Sequence, residues 1–334
     1  MAPLRWGIAG CGLISADFVS AIQGFPETEH KVVACAARSA ERAEKFAKDK
    51  EIQKFYGSYE AMAADSDIDV VYVGTIHSAH CELSCLYMNA GKHVVCEKPL
   101  GLNCKQAESC LEASKKNNVF FMEGFWTRFF PVYDRLREEL MKGTIGKVRH
   151  LSTSFGILDF LKVERIADKS IGGGVLMDVG CYSLQFAIHV YGEMPEKIHV
   201  VGDFDENGID LFESITLIFS GQRTAHLTAH GLVECPNNAV VCGTKGRIEI
   251  PRTMWCPTEI IINGEKEEYP VPEGKRPFGY LNSGGFHYEI KAVGSAIKRG
   301  LQEHPLMPHG DTLKSAKVMD ELKRQLGIKY ACDE

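Results

Sequence analysis

Two periodicities alternate over the first third of the chain. Short apolar runs at Leu4–Ala9, Lys31–Ala37, Val70–Gly74, His93–Cys96 and Val119–Met122 read as strands. Between them, apolar residues three to four apart mark helices at Leu13–Phe25, Ala40–Lys50, Tyr59–Ala64, Ala79–Asn89 and Lys105–Asn117, with Ser58 opening the third and Gly91 closing the fourth. Strands that alternate with helices predict a parallel sheet covered on both faces, joined by right-handed crossovers.

After about Gly124 the rhythm changes. A helix at Pro131–Met141 gives way to strand-like runs at Lys147–Phe155, Glu213–Phe219, Arg223–His230, Ala239–Cys242, Arg247–Ile250 and Glu259–Ile262, which read as an antiparallel meander, and Asn263-Gly264 is a hairpin signal. Helices follow at Gly285–Arg299 and Asp311–Leu326. The expected fold is α/β: a doubly wound, Rossmann-type parallel sheet over residues 1–124, then an α+β domain on an open, mostly antiparallel sheet over residues 125–334. The second domain is expected to bind substrate and to dimerise, with the late helices packing back on the first. An open apolar sheet face needs covering, so a homodimer is the expected assembly.

Composition narrows the function classes. Of 334 residues, 45% are hydrophobic and 25% charged, values of an ordinary globular chain. A net charge of -6, with no dense Lys/Arg run, gives no footprint for nucleic acid. The 12 cysteines are scattered from Cys11 to Cys332 without a Cys-x-x-Cys pair, which fits free thiols in a reducing compartment. Met1–Arg5 leads straight into an apolar run, so no secretory leader is expected. The stretch 171–192 is interrupted by Asp178, His189 and glycines, so no membrane partner is expected either, and the cytoplasm is the expected location.

The chemistry begins at the first turn. Gly10-Cys11-Gly12-Leu13-Ile14-Ser15 follows a strand and opens a helix, where Gly10 permits a tight turn, Gly12 lets backbone approach a pyrophosphate, and the N–H groups around Leu13 and Ile14 face its charge. Ser15 stands where a third Gly or Ala is usual. The second strand ends in Arg38-Ser39, with Arg42 one turn later and no carboxylate to repel a 2'-phosphate, so NADP is the expected cofactor. Cys96-Glu97-Lys98-Pro99 closes another strand at the sheet end where ligands bind. Lys98 there would face the nicotinamide.

Three motifs in this order resemble the Gfo/Idh/MocA oxidoreductase family: Gly10-Cys11-Gly12, Glu97-Lys98-Pro99, and the run from Gly172-Gly173-Gly174 through Asp178 to Tyr182. The resemblance spans essentially the whole chain. Tyr182 stands where many sugar and inositol dehydrogenases of the family carry His, and Gln185 where they carry Asp. Together with Trp126-Thr127-Arg128-Phe129-Phe130-Pro131, Trp255-Cys256-Pro257-Thr258-Glu259 and Arg38-Ser39, this implies a branch that oxidises trans-dihydrodiols of aromatic hydrocarbons and D-xylose, an aldopentose, with NADP. Another NADP-dependent sugar dehydrogenase, or a non-catalytic NADPH-binding regulator, stays open beside it.

The resemblance also assigns residues. Thr75, His77, Glu97 and Lys98 would line the cofactor, and Lys98 with Tyr182 would form the acid–base pair, the phenol taking a hydroxyl proton as hydride leaves. Asp178, one turn before Tyr182, would bind a substrate hydroxyl or orient the lysine. Trp126, Phe155 and Trp255 are the expected pocket walls. His77, His80, Cys81 and Cys85 superficially imitate zinc spacing, but no second pair of ligands accompanies them, so no metal is expected.

Overall fold

The computed structural model describes residues 2–333. It divides into two compact units that interleave along the chain. Unit 1 takes the chain up to Gly101, Lys105–Phe129 and Val271–His309; unit 2 takes Leu102–Cys104, Phe130–Pro270 and everything from Gly310 onward. The expected single division at 124/125 therefore gives way to a chain that crosses from unit to unit more than once.

Unit 1 is built on β1 (Leu4–Ala9), α1 (Leu13–Ile22), β2 (His30–Ala36), α2 (Ala40–Lys50), β3 (Lys54–Tyr56), α3 (Tyr59–Ala63), β4 (Val70–Val73), α4 (His80–Asn89), β5 (His93–Glu97), α5 (Cys104–Asn117) and β6 (Phe121–Gly124). Its six strands are all parallel in the order β3-β2-β1-β4-β5-β6. That is the doubly wound order, with the switch point between β1 and β4. The central strands are apolar throughout because helices cover both faces: Val70, Val71, Tyr72 and Val73 are all fully buried.

Unit 2 adds α6 (Pro131–Lys142), β7 (Val148–Gly156), α7 (Cys181–Tyr191), β8 (Lys197–Phe204), β9 (Asp210–Phe219), β10 (Arg223–His230), β11 (Ala239–Gly243), β12 (Gly246–Ile250), β13 (Glu259–Ile262) and β14 (Glu265–Glu268). The strand order is β14-β13-β12-β11-β7-β10-β9-β8, with β7 and β10 parallel to each other. The expected simple meander is thus corrected. The β7–α7–β8 connection is a crossover, and two antiparallel meanders flank the strand it leaves from. The segment through α7 packs on β7 and β10, covering one sheet face. Along β8 exposure alternates residue by residue, and Val201 is 68% exposed on the uncovered side.

Two helices close the chain. α8 (Phe286–Lys298) belongs to unit 1 and most of α9 (His309–Leu326) to unit 2. The return of 271–309 to unit 1 is anchored by the buried Asp17 of α1, whose carboxylate accepts from the Gly279 and Tyr280 amides at 2.7 and 2.9 Å and from the Ser283 hydroxyl at 2.6 Å. The helical stretch Lys169–Tyr191 meets the length and hydropathy of a membrane span, yet 89% of that window is buried in the fold, so its apolar character serves the core.

Candidate active site

In unit 1, candidate site residues lie at the carboxyl ends of β1, β2, β4 and β5. Gly10 adopts φ +98°, and a Cβ there would sit 2.5 Å from the Gly74 carbonyl oxygen, so glycine is what lets the β1 and β4 turns approach. Gly12 is different. A Cβ there would meet nothing within 4 Å, and no side chain caps α1, so its first amides face open space. Leu13 is 70% exposed beside them and Ile14 half-buried. An uncapped helix N-terminus with an open glycine face is what a pyrophosphate requires. Ser15 is buried and its hydroxyl donates to the Gly74 carbonyl at 3.4 Å, which ties α1 to the β4 turn.

At the end of β2, Ser39 caps α2 by accepting from the Arg42 amide at 3.4 Å. Arg38 and Arg42 are exposed, and both guanidinium groups act on the Tyr59 phenol, opposing the rise that burial causes there. After β5, Glu97 is buried and accepts from the Tyr72 hydroxyl at 2.7 Å, while half-buried Lys98 follows it with its amide 3.3 Å from the same carboxylate. Thr75 is half-buried and His77 buried in the turn after β4. Trp126 lies in the core of unit 1, stacked on Phe286 at 4.5 Å and only 5% exposed.

His80, set aside as a metal ligand in the sequence, has a bracing place in the fold. Its ring lies 2.8 Å from the Pro99 carbonyl and 3.2 Å from that of Thr75, bracing the turn that carries Thr75 and His77 against the one that carries Lys98. Burial, then the neighbouring His77, pushes its pKa down to about 3, so the ring is neutral. His30, which accepts from the Trp6 indole at 3.1 Å, is pushed down to about 4, chiefly by burial. An unfolded histidine titrates near 6.5 and takes up its proton first as pH falls, so stability is lost below that pH. At pH 5 His80 alone costs about 2 kcal/mol. Urea unfolding at pH 7, 6 and 5 should show this loss, and His80→Gln should flatten the profile; a slope unchanged by the substitution would refute the bracing role.

Unit 2 carries its own candidate residues. Gly172-Gly173-Gly174 is a packing motif: Gly174 has φ +116°, and a Cβ on it would overlap the Asp210 carboxylate at 2.1 Å. Asp210 in turn accepts from the Leu176 amide at 2.6 Å, and the Tyr330 hydroxyl donates to the Gly173 carbonyl at 3.0 Å. The chain then makes a π-helical turn over Leu176–Gly180 into α7. Asp178 in that turn is 5% exposed and is gripped by both terminal nitrogens of Arg165, at 2.5 and 3.2 Å. Such a two-pronged pair keeps a carboxylate ionised and its plane fixed. Arg165 sits in an irregular loop with no periodic signal, so only the fold reveals it.

Tyr182, in the first turn of α7, is half-buried with its ring 5.8 Å from that of Phe155. Phe155 stacks on Trp255 at 3.9 Å and 8°. The three rings form one aromatic wall with a phenol on it, close in sequence to an ionised carboxylate. The four residues that imitate a zinc site part company. His80 is bound to backbone, while Cys81 and Cys85 meet a third sulfur, Cys110 of α5, that their own spacing does not announce.

A doubly wound sheet with a phosphate-ready turn and an aromatic site on a second unit defines a Rossmann-fold oxidoreductase. Residues 4–125 match the oxidoreductase family with an NAD-binding Rossmann fold, and residues 133–249 match the GFO/IDH/MocA C-terminal domain. The chain belongs to the Gfo/Idh/MocA oxidoreductase family, and it is an enzyme that uses a nicotinamide cofactor. It is 43% identical to the trans-1,2-dihydrobenzene-1,2-diol dehydrogenase of Xenopus tropicalis over 98% of this chain and 99% of that one. It is 38% identical to the human protein of the same name, over 99% of each. Among solved structures, a 3-ketoreductase from Actinomadura kijaniata in complex with TDP-benzene and NADP is 26% identical, with a TM-score of 0.77 over 96% of this chain and 97% of that one. An aldose-aldose oxidoreductase from Caulobacter crescentus, at 24% identity and a TM-score of 0.84 over 97% and 98%, shares the fold.

Proposed function

We propose that this enzyme oxidises trans-dihydrodiols of aromatic hydrocarbons to catechols, and D-xylose to its lactone, with NADP. The observation that carries the reading is the Phe155–Trp255 stack with Tyr182 beside it, a flat apolar wall bearing one proton acceptor. Relatives of nearly identical length that bear the dihydrodiol dehydrogenase name support it.

The chain up to Gly124 supplies the cofactor side of this proposal. Gly10, Gly12, Leu13 and Ile14 hold the pyrophosphate, Arg38, Ser39 and Arg42 the 2'-phosphate, and Thr75, His77 and Glu97 the nicotinamide end. The bound NADP supplies the hydride acceptor. Tyr182 takes the proton of the reacting hydroxyl, and the Lys98 ammonium makes its phenolate accessible near neutral pH. Arg165 fixes the plane of the Asp178 carboxylate, which takes the second hydroxyl of a vicinal diol. Half-buried Trp255, backed by the buried Phe155, takes the face of the ring, and Trp126 supports the site from within its own core. Loss of hydride and proton from the diol leaves a hydroxydienone, which tautomerises to the catechol; from xylose the same loss at the anomeric carbon leaves the lactone.

Twelve free cysteines and the open face of the eight-stranded sheet, with Val201 on it, extend the reading to a cytoplasmic homodimer. The test is NADPH formation by the purified protein with trans-benzene dihydrodiol and with D-xylose, alongside light scattering. Turnover of both substrates by a species of twice the chain mass is expected. Turnover of hexoses in preference to both would point to another sugar dehydrogenase, and tight NADPH binding without turnover to a regulator.

A further inference from the structure

Three thiols converge on the outer layer of unit 1. Cys81 and Cys85 are four residues apart on α4 and so share one face of it. Cys110 meets them from α5, and the three sulfur atoms all lie within 4.8 Å of one another. The helices are already registered around them: the Cys81 thiol donates to the Gln106 carbonyl at 3.3 Å, that of Cys85 to Ser109 at 3.8 Å, and that of Cys110 back to Cys81 at 3.8 Å. Cys110 is buried whereas Cys81 and Cys85 are half-exposed, so the cluster has a closed floor and an open mouth.

We propose that Cys81, Cys85 and Cys110 bind one thiophilic divalent metal ion of the zinc or cadmium type, with a solvent molecule in the fourth position. At a zinc–sulfur distance of about 2.3 Å, tetrahedral ligands lie about 3.8 Å apart, so sulfurs already within 4.8 Å need move by about 1 Å or less to close on the ion. Three sulfur donors and no carboxylate select a soft ion over magnesium or calcium. Binding replaces each S–H bond by a sulfur–metal bond and releases that proton to solvent, with no change of oxidation state.

The test is a titration of the reduced, chelator-treated full chain with Cd2+, following the sulfur-to-cadmium charge-transfer band, and with Zn2+ against a chelating dye. One tight equivalent per chain is expected, weakened at least 100-fold in Cys85→Ser and in Cys110→Ser and unchanged in Cys242→Ser of unit 2. Because Cys110 is buried, each variant is also followed by thermal unfolding: excess Zn2+ should raise the midpoint of the wild type and not that of folded Cys85→Ser. Binding that survives Cys85→Ser, or no tight equivalent in the fully reduced protein, would overturn the proposal. So would a titration in which the cluster takes up ion only weakly but closes to a Cys85–Cys110 disulfide under mild oxidant.

Discussion

Replacing Tyr182 by phenylalanine lowers kcat by about 10²–10⁴-fold, the usual worth of a positioned general acid or base. The phenyl ring keeps its place 5.8 Å from Phe155, so the aromatic wall, thermal stability and the dissociation constant for NADPH should stay as they are. The pH profile separates this role from a merely structural one. Wild-type kcat should rise with pH and level off as the phenol ionises, and the limb should vanish in Tyr182→Phe. On the proposed pairing of Lys98 with Tyr182, Lys98→Met should move the limb to higher pH, because that pairing favours phenolate. Steady-state kinetics with the dihydrodiol from pH 6 to 10 checks all of this. A Tyr182→Phe enzyme within fivefold of wild type would transfer the proton to another group.

Removing the two cations at the end of β2 should change the cofactor rather than the chemistry. Arg38→Ala with Arg42→Ala should raise KM for NADP by about 10²–10⁴-fold, since each charge-assisted hydrogen bond to a phosphate contributes about 1.5–3 kcal/mol. KM for NAD should change less than threefold, because NAD lacks the 2'-phosphate those groups would meet. Both arginines are exposed and carry no core packing, so unfolding by heat serves as a control that should not move. Cofactor titration of the single and double variants measures the effect. Equal losses for NADP and NAD would place the two arginines elsewhere in the site, or make them supports for α2.

What the chain announced, and what it withheld, follow from how far each signal reaches. β1, α1 and the Gly10–Gly12 turn are legible because strand, turn and helix all speak within twenty residues. β3 is three residues, Lys54–Tyr56, too short for any period to register. β8 escaped because its alternating exposure includes polar Lys197, His199 and Asp203 and a central Gly202, a pattern equally suited to a loop. The parallel pairing of β7 with β10 is a contact across about seventy residues and has no local signature. The same holds in the site. Asp178 and Tyr182 share one turn and one motif, but Arg165 reaches Asp178 from an unpatterned loop, and Cys110 reaches Cys85 from another helix. His80 was withheld differently: its spacing resembled a ligand's and was set aside, whereas burial against two carbonyls is a property of the folded turns alone.

The interleaving of the two units bears on the order in which the protein can be made. Asp17 emerges from the ribosome among the first residues, yet its partner amides at Gly279 and Tyr280 follow 262 and 263 positions later. The nucleotide-binding sheet can pair its strands early, but the layer that α8 contributes arrives only after all of β7–β14 has been synthesised. Until then Phe18 and Tyr72, which pack edge-on against Phe286 of α8, stay open to water or to a chaperone. Completion of unit 1 is therefore a late event in synthesis, and a chain cut anywhere between the two halves leaves an unfinished surface on the first.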